Sequence, residues 1–279
     1  MENLRLILGK HGFSFKKQFG QNFISDTNLL RSIVELSGID KSSTVLEIGC
    51  GAGTLTRELA ASAKEVFAFE IDEKLKPVLA ETLADCPNAT VTFKDFLKVD
   101  LAALERELAP YTVVANLPYY ITSPLVMRFV EESEKVRALV IMVQDDVAKR
   151  FCAEAGTPEY GAITAAIARR ASAEIVKYVP RKMFYPVPNV DSAVVKLTFT
   201  EGRIPVQSAK CYRDTVRAAF LSRRKTLENN IMNAFSLSRA QSQALLEKAS
   251  IPEKARGEAL SPEQLAKLSD ILFETLKTK

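Results

Sequence analysis

Histidine is almost absent from this chain, and cysteine is sparse. The 279 residues include one histidine, His11, and four cysteines, Cys50, Cys86, Cys152 and Cys211, none of them in a Cys-x-x-Cys pair. A single histidine near the start argues against a histidine-rich metal site and against a Ser-His-Asp triad. The cysteine spacing suits neither a zinc site nor a disulfide framework, so a reduced, cytoplasmic setting without a metal is expected. No apolar run reaches the roughly 18 residues of a membrane span. Met1–Lys10 carries Glu2, Arg5 and Lys10, which interrupt the apolar core that a secretory signal would need. Charge of one sign is also lacking: 38 Lys+Arg stand against 34 Asp+Glu, a net charge of +4.

A hydrophobic share of 47% and a charged share of 26% belong to a globular protein able to bury a sizeable core. Basic residues cluster locally although the total is nearly balanced. Residues 213–225 hold Arg213, Arg217, Arg223, Arg224 and Lys225 against Asp214, and Lys10, Lys16 and Lys17 stand without a nearby acid. Lys16, Lys17, Arg223, Arg224 and Lys225 are candidate nucleic-acid contacts, since such patches attract phosphate backbones, with a solvated basic face as the alternative. The Arg-Arg-Lys run reads equally well as a structural element that caps a helix and bridges to the rest of the fold.

From Thr44 the pattern alternates strand and helix. Strands are predicted at Thr44–Ile48, Val66–Glu70, Thr90–Lys94, Tyr111–Ala115 and Ala138–Val143, the last apolar throughout, as when helices cover both faces. Helices are predicted from Asp26 to Leu36, from near Thr54, over 73–84, and near 145–154 and 161–170. This spacing implies a doubly wound, mostly parallel sheet. Glu174–Val179 and Ser192–Phe199 read as two more strands, the second alternating as an antiparallel strand does. Beyond Pro205 the chain reads as helical, with capping boxes at Ser238-x-x-Gln241 and Ser261-Pro262-x-Gln264. The expected division is an α/β domain over 1–205 and a small all-helical domain over 206–279.

Glu47-Ile48-Gly49-Cys50-Gly51-Ala52-Gly53 falls where the first of these strands meets its helix. Glycines there permit a sharp turn and close approach of a ligand. Glu70 ends the second strand, where a carboxylate can accept both hydroxyls of a ribose, and Asp95 ends the third, where it can take an adenine amine. A nicotinamide dehydrogenase would need G-x-G-x-x-G to place pyrophosphate at the helix N-terminus, and here the third glycine comes one residue early. A ligand with ribose and adenine but no phosphate fits better, and S-adenosylmethionine is one.

Asn116-Leu117-Pro118-Tyr119 follows the fourth strand. The exocyclic amine of adenine is a poor nucleophile because its lone pair is delocalised into the ring. Two oxygens accepting its N–H groups favour a pyramidal nitrogen with an available lone pair. The Asn116 amide and the Leu117 carbonyl can supply them, Pro118 stiffens the turn, and Tyr119 offers a ring for the base.

These motifs, with Gly20-Gln21-Asn22-Phe23-Ile24, Phe184-x-Pro186-x-Pro188-x-Val190-Asp191-Ser192-Ala193 and Phe220-x-x-Arg223-Arg224-Lys225-Thr226-Leu227, resemble the ribosomal RNA adenine dimethyltransferase family over nearly the whole length. The likeness is to its bacterial small-subunit members. The resemblance implies a Rossmann-like S-adenosylmethionine-dependent methyltransferase domain with a seven-stranded sheet and a helical C-terminal domain that docks on RNA. It implies that Asn22, Ile24, Gly49, Gly51, Glu70, Asp95 and Asn116 line the cofactor site, that the segment from Gln21 folds over it as a lid, and that Phe184 stacks on a flipped adenine opposite Tyr119. The implied reaction is dimethylation at N6 of two adjacent adenines near the 3′ end of 16S rRNA, with the small ribosomal subunit or its precursor as partner and a monomeric enzyme. A large-subunit (23S) methyltransferase of the antibiotic-resistance type and a non-catalytic RNA-binding assembly factor are the alternatives. Cys50, Tyr120 and Ser222 depart from the family's usual proline, asparagine and glutamine.

Overall fold

Short apolar runs separated by glycine turns and amphipathic stretches become strands and helices in strict alternation along the first part of the chain. The computed structural model describes residues 4–13, 22–24 and 26–277. Among them the strands are β1 (Phe23–Ile24), β2 (Thr44–Ile48), β3 (Glu65–Glu70), β4 (Ala89–Phe93), β5 (Tyr111–Asn116), β6 (Val136–Gln144), β7 (Ala171–Val179), β8 (Phe184–Tyr185) and β9 (Ser192–Phe199). The helices are α1 (Leu4–Lys10), α2 (Thr27–Ser37), α3 (Thr54–Ser62), α4 (Lys76–Thr82), α5 (Leu101–Glu107), α6 (Thr122–Glu132), α7 (Asp145–Phe151), α8 (Ala162–Arg170), α9 (Ala209–Ala219), α10 (Leu227–Phe235), α11 (Arg239–Ala249) and α12 (Pro262–Lys277).

Seven strands form one sheet in the order β4-β3-β2-β5-β6-β9-β7. The pairs from β4 to β6 are parallel, and β9 runs antiparallel to β6, with Ala138 opposite Thr198 and Gln144 opposite Ser192. This is a Rossmann-like sheet. The chain winds outward from β2 through β3 to β4, then restarts on the other side at β5. The strand order therefore reverses between β2 and β5, and a crevice opens beyond their carboxyl ends, which is where ligands bind such sheets.

Both faces of the sheet are covered. Val45, Val66, Val114, Val140 and Val194, one from each of β2, β3, β5, β6 and β9, share a cluster with Leu30 and Ile33 of α2 and Leu59 of α3. Their strand neighbours Leu46, Val113, Leu139 and Val195 point the opposite way and are equally buried. Asp26 starts α2 by accepting from the Leu29 amide, and Gly38 ends it in the left-handed conformation. The helix predicted over 73–84 is in fact a 3₁₀ turn, Glu73–Leu75, followed by α4, because Pro77 suits a first helical turn. The pairing of β1 with β8, two residues each, has no counterpart in the sequence reading.

The chain divides into two compact units, Met1–Ala148 with Glu174–Phe199, and Lys149–Ala173 with Thr200–Lys279. These units differ from the division at residue 205 expected from sequence, since α8 falls in the second of them. Tyr160 and Ala165 belong to the core of the helical unit, with Tyr212, Val216, Ile231, Leu245 and Leu265, and the Tyr212 hydroxyl donates to the Ala165 carbonyl at 2.9 Å. Both expected capping boxes are present. Ser238 and Gln241 cap each other's amides, and so do Ser261 and Gln264. No helix among the described residues is long and apolar enough to cross a membrane.

Candidate active site at the strand ends

The crevice at the reversal of strand order is a cleft of about 850 Å³. Gly49 and Gly51 line it from the turn after β2, Glu70 and Ile71 from the end of β3, and Asp95, Phe96 and Leu97 from the turn after β4. Asn116, Leu117, Pro118, Tyr119 and Tyr120 line it from the turn after β5, and Asn22 and Phe23 from the segment at β1.

The glycine turn needs its glycines. Gly49, Gly51 and Gly53 all have positive φ, at 75°, 57° and 80°. A Cβ on Gly51 would lie 2.5 Å from the Phe23 ring. The turn is braced from the neighbouring strand: Gly49 N–H donates to the Phe69 carbonyl at 2.8 Å, and Gly51 N–H donates to Glu70 Oε2 at 2.8 Å. Glu70 Oε1 also accepts from the amides of Ile71 and Asp72, each at 2.8 Å. Three of the carboxylate's roughly four acceptor directions are thus used by backbone. Glu70 holds the cradle and its own turn, and one direction remains for a ligand.

Two other buried groups lie beside this turn. Glu47, 1% exposed, has its carboxyl pushed up to about 8, by burial first and then by the charge on Glu70. It is neutral at pH 7; burial raises the Glu70 carboxyl as well, while the amides of Asp72, Gly51 and Ile71 pull it back down. Burial, followed by the charges of Glu47 and Glu70, raises the Cys50 thiol well above its ordinary range. It therefore acts as a small apolar group.

The acceptor side is built differently. Asn116 Nδ2 donates to the Asn22 backbone carbonyl at 2.8 Å. That bond distinguishes the two ends of the amide and leaves Oδ1 as the acceptor. The Pro118 carbonyl takes Ile121 N–H at 3.1 Å, whereas no donor among the described residues takes the Leu117 carbonyl. Tyr119 is fixed by a 2.9 Å hydrogen bond between its hydroxyl and that of fully buried Ser192. The sequence holds no sign of this contact, because a serine opening a strand carries no local signal for a partner 73 residues away. Tyr120 is 58% exposed at the mouth, beside the exposed apolar side chains of Ile71 and Leu97.

Not every expected residue reaches the cleft. Ile24 and Phe184 pair with each other between β1 and β8 and are 2% and 3% exposed, in the core with α2. Phe184 is a large apolar residue drawn into that core, whereas Tyr119 lines the cleft. Lys16, Lys17 and Gln21 lie outside the described residues. In the helical unit, Arg223, Arg224 and Lys225 are all exposed, and of their side chains that of Arg223 alone is seen to donate to backbone among the described residues, to the carbonyls of Pro158 and Tyr160 at 3.1 and 2.7 Å. Arg223 therefore serves as a structural bracket.

Comparison with known proteins agrees with this geometry. A family model described as ribosomal RNA adenine dimethylase matches residues 12–274. The chain is 46% identical over 276 residues to ribosomal RNA small subunit methyltransferase A of Streptococcus sanguinis, covering 96% of this chain and 95% of the relative. Among solved structures it resembles a dimethyladenosine transferase from Plasmodium falciparum, with a TM-score of 0.77, 25% identity, and coverage of 91% of this chain and 98% of the other. It also resembles the 23S rRNA methyltransferase ErmE, with a TM-score of 0.69, 29% identity, and coverage of 90% and 100%.

Proposed function

The chain belongs to the ribosomal RNA adenine dimethylase family, and we propose on that basis that it methylates N6 of two adjacent adenines near the 3′ end of small-subunit rRNA, giving N6,N6-dimethyladenine. The methyl donor is S-adenosylmethionine, and the cleft suits it. The turn of positive-φ glycines offers bare backbone to a ligand, Glu70 retains an acceptor direction for ribose, and Asp95 stands where an adenine amine would reach it. When bound, the donor supplies an electrophilic methyl on a sulfonium.

The orientation of the Asn116 amide carries the catalytic reading. With Nδ2 committed to the Asn22 carbonyl, Oδ1 and the Leu117 carbonyl form a pair of acceptors at the cleft. An adenine amine donating to both is held with its lone pair free, and no side-chain base is needed before attack. Tyr119, immobilised by Ser192, forms a wall for the base, so alignment supplies most of the rate. After the first methyl is added and the nitrogen has released a proton to solvent, one N–H remains for the second round, and either acceptor can still hold it. For Phe184 to stack on the base, the β1–β8 pair would have to open when RNA binds.

Identity of 46% to a small-subunit enzyme, against 29% to ErmE, favours the small-subunit substrate over the large. An intact acceptor pair argues for turnover rather than a purely assembly role. Exposed Arg224 and Lys225, with Lys16 and Lys17, are proposed to contact the phosphate backbone. A monomer acting in the cytoplasm is proposed on the family resemblance alone.

The test incubates purified protein with labelled S-adenosylmethionine and small subunits lacking adenine dimethylation, with Asn116→Ala in parallel. N6,N6-dimethyladenine near the 3′ end, absent with the variant, is the expected result. Label in large-subunit RNA alone would move the enzyme to the other branch. Cofactor binding without transfer to either would favour the assembly factor.

A further inference from the structure

The turn carrying Asp95 is a 3₁₀ helix, Phe96–Lys98, which Asp95 caps by accepting the Leu97 amide at 3.0 Å. Its other end is held by a residue the reaction does not account for. Arg128, on α6, donates Nη1 to the Phe96 carbonyl at 2.5 Å and Nη2 to the Val99 carbonyl. Its Nε donates to Glu132 at 3.0 Å, one turn further along the helix. The guanidinium lies 5.7 Å over the Phe96 ring, and that ring packs edge-on to Phe69 and stacks on Phe129. The Arg128 side chain is 13% exposed.

We propose that Arg128 is a positioning residue for the methyl donor: by holding both carbonyls of the Asp95–Val99 turn, it fixes the rim that recognises the exocyclic amine of the donor's adenine. This rests on the reading of Asp95 as the acceptor for that amine. A planar fork can hold two carbonyls at once, and the cation also complements the negative end of the short helix. A lysine would hold one of them. α6 follows the acceptor turn through the short 3₁₀ segment Tyr119–Ile121, so the clamp on the adenine rim sits on the helix next in the chain.

The experiment compares wild type, Arg128→Met and Arg128→Lys by calorimetry with S-adenosylhomocysteine and with its inosine counterpart, in which an oxygen replaces the amine. Turnover at saturating donor and thermal melting are measured alongside. Wild type is expected to prefer the amine-bearing ligand. Arg128→Met is expected to lose about tenfold or more in affinity for it but less than about threefold for the inosine form, with kcat within about twofold and Arg128→Lys intermediate. Equal weakening of both ligands together with a lowered melting point would reduce Arg128 to a fold staple and overturn the proposal, as would unchanged affinities. Should Arg128→Met fail to fold, the affinity ratio in Arg128→Lys decides. A wild type that binds both ligands alike would overturn the reading of Asp95, and the proposal with it, and that failure is visible before any variant is made.

Discussion

Two turns flank the cleft where the strand order reverses, and they achieve their shapes by opposite means. The turn after β2 is made of backbone: three glycines at positive φ, with the amides of Gly49 and Gly51 donating to the Phe69 carbonyl and the Glu70 carboxylate. The turn after β5 is made of side chains held from elsewhere, Asn116 by the Asn22 carbonyl and Tyr119 by Ser192. The first must fit closely around a ligand with little to distinguish one face from another. The second must present two oxygens and a ring at fixed angles to an amine. Backbone freedom suits binding, and imposed rigidity suits chemistry whose barrier is lowered by alignment.

The largest effect should come from removing the group whose orientation is set. Asn116→Ala deletes an acceptor that acts on charge developing during transfer, for which losses in kcat of about 10² to 10³ are typical. Donor affinity should change far less, because the glycine turn is untouched. Single-turnover rates and donor titration check this, and a loss confined to donor affinity would erase the distinction between the two turns.

Gly51→Ala attacks the other side. The left-handed backbone and the Phe23 ring, 2.5 Å from where the Cβ would stand, both oppose it. We expect a stability loss of about 1–3 kcal/mol and donor affinity down by one to two orders of magnitude. Phe23 adjoins Asn22, so displacing its ring should also slow transfer at saturating donor. Calorimetry and kinetics on one preparation measure both. Undiminished kcat would show the two turns to be independent.

The difference between the turns also explains what the sequence reveals. Thr44–Ile48 and Ser192–Phe199 were read to the residue because periodicity and turn chemistry are local. Gly49, Gly51, Glu70 and Asp95 were legible for the same reason, each lying at a strand end. The Asn116 and Tyr119 contacts span 94 and 73 residues, and no window of sequence contains both partners. Phe184 shows the same limit from the other side. Its motif suggested stacking, but its pairing with Ile24 places it in the core. α8 packs with Tyr212 and the helices after it, partners that come later in the chain and leave no mark on its own sequence.

Charge separates the two turns as well. Glu47 leads into the glycine turn, and burial raises its carboxyl from 4.5 to about 8. The folded chain keeps a proton through that interval that the unfolded chain has released. This group's contribution to stability is therefore full below pH 4.5 and is lost as the pH rises through about 8. Glu47→Gln is neutral throughout, so it should match wild type near pH 5 and exceed it at pH 8.5 by a margin on the order of a few kcal/mol. Urea unfolding at the two values measures the difference. Parallel profiles would place the ionisation outside this interval.

The smallest effect tests the pin on the acceptor side, and here the order of variants matters more than their size. Ser192→Ala leaves the half-buried Tyr119 hydroxyl without its partner, whereas Tyr119→Phe removes the hydroxyl and keeps the ring. An abandoned buried polar group costs about 1–3 kcal/mol, more than the net worth of the bond itself. Ser192→Ala should therefore be the more damaging single change, lowering kcat/KM for RNA by about tenfold, and adding Tyr119→Phe should restore part of the loss. A double-mutant cycle on kcat/KM and on melting temperature gives the coupling. Additive effects would mean that Ser192 does not hold the ring. In that case the acceptor turn would rely on Pro118 and the Asn22 carbonyl, making it, like the glycine turn, a structure shaped mainly by backbone.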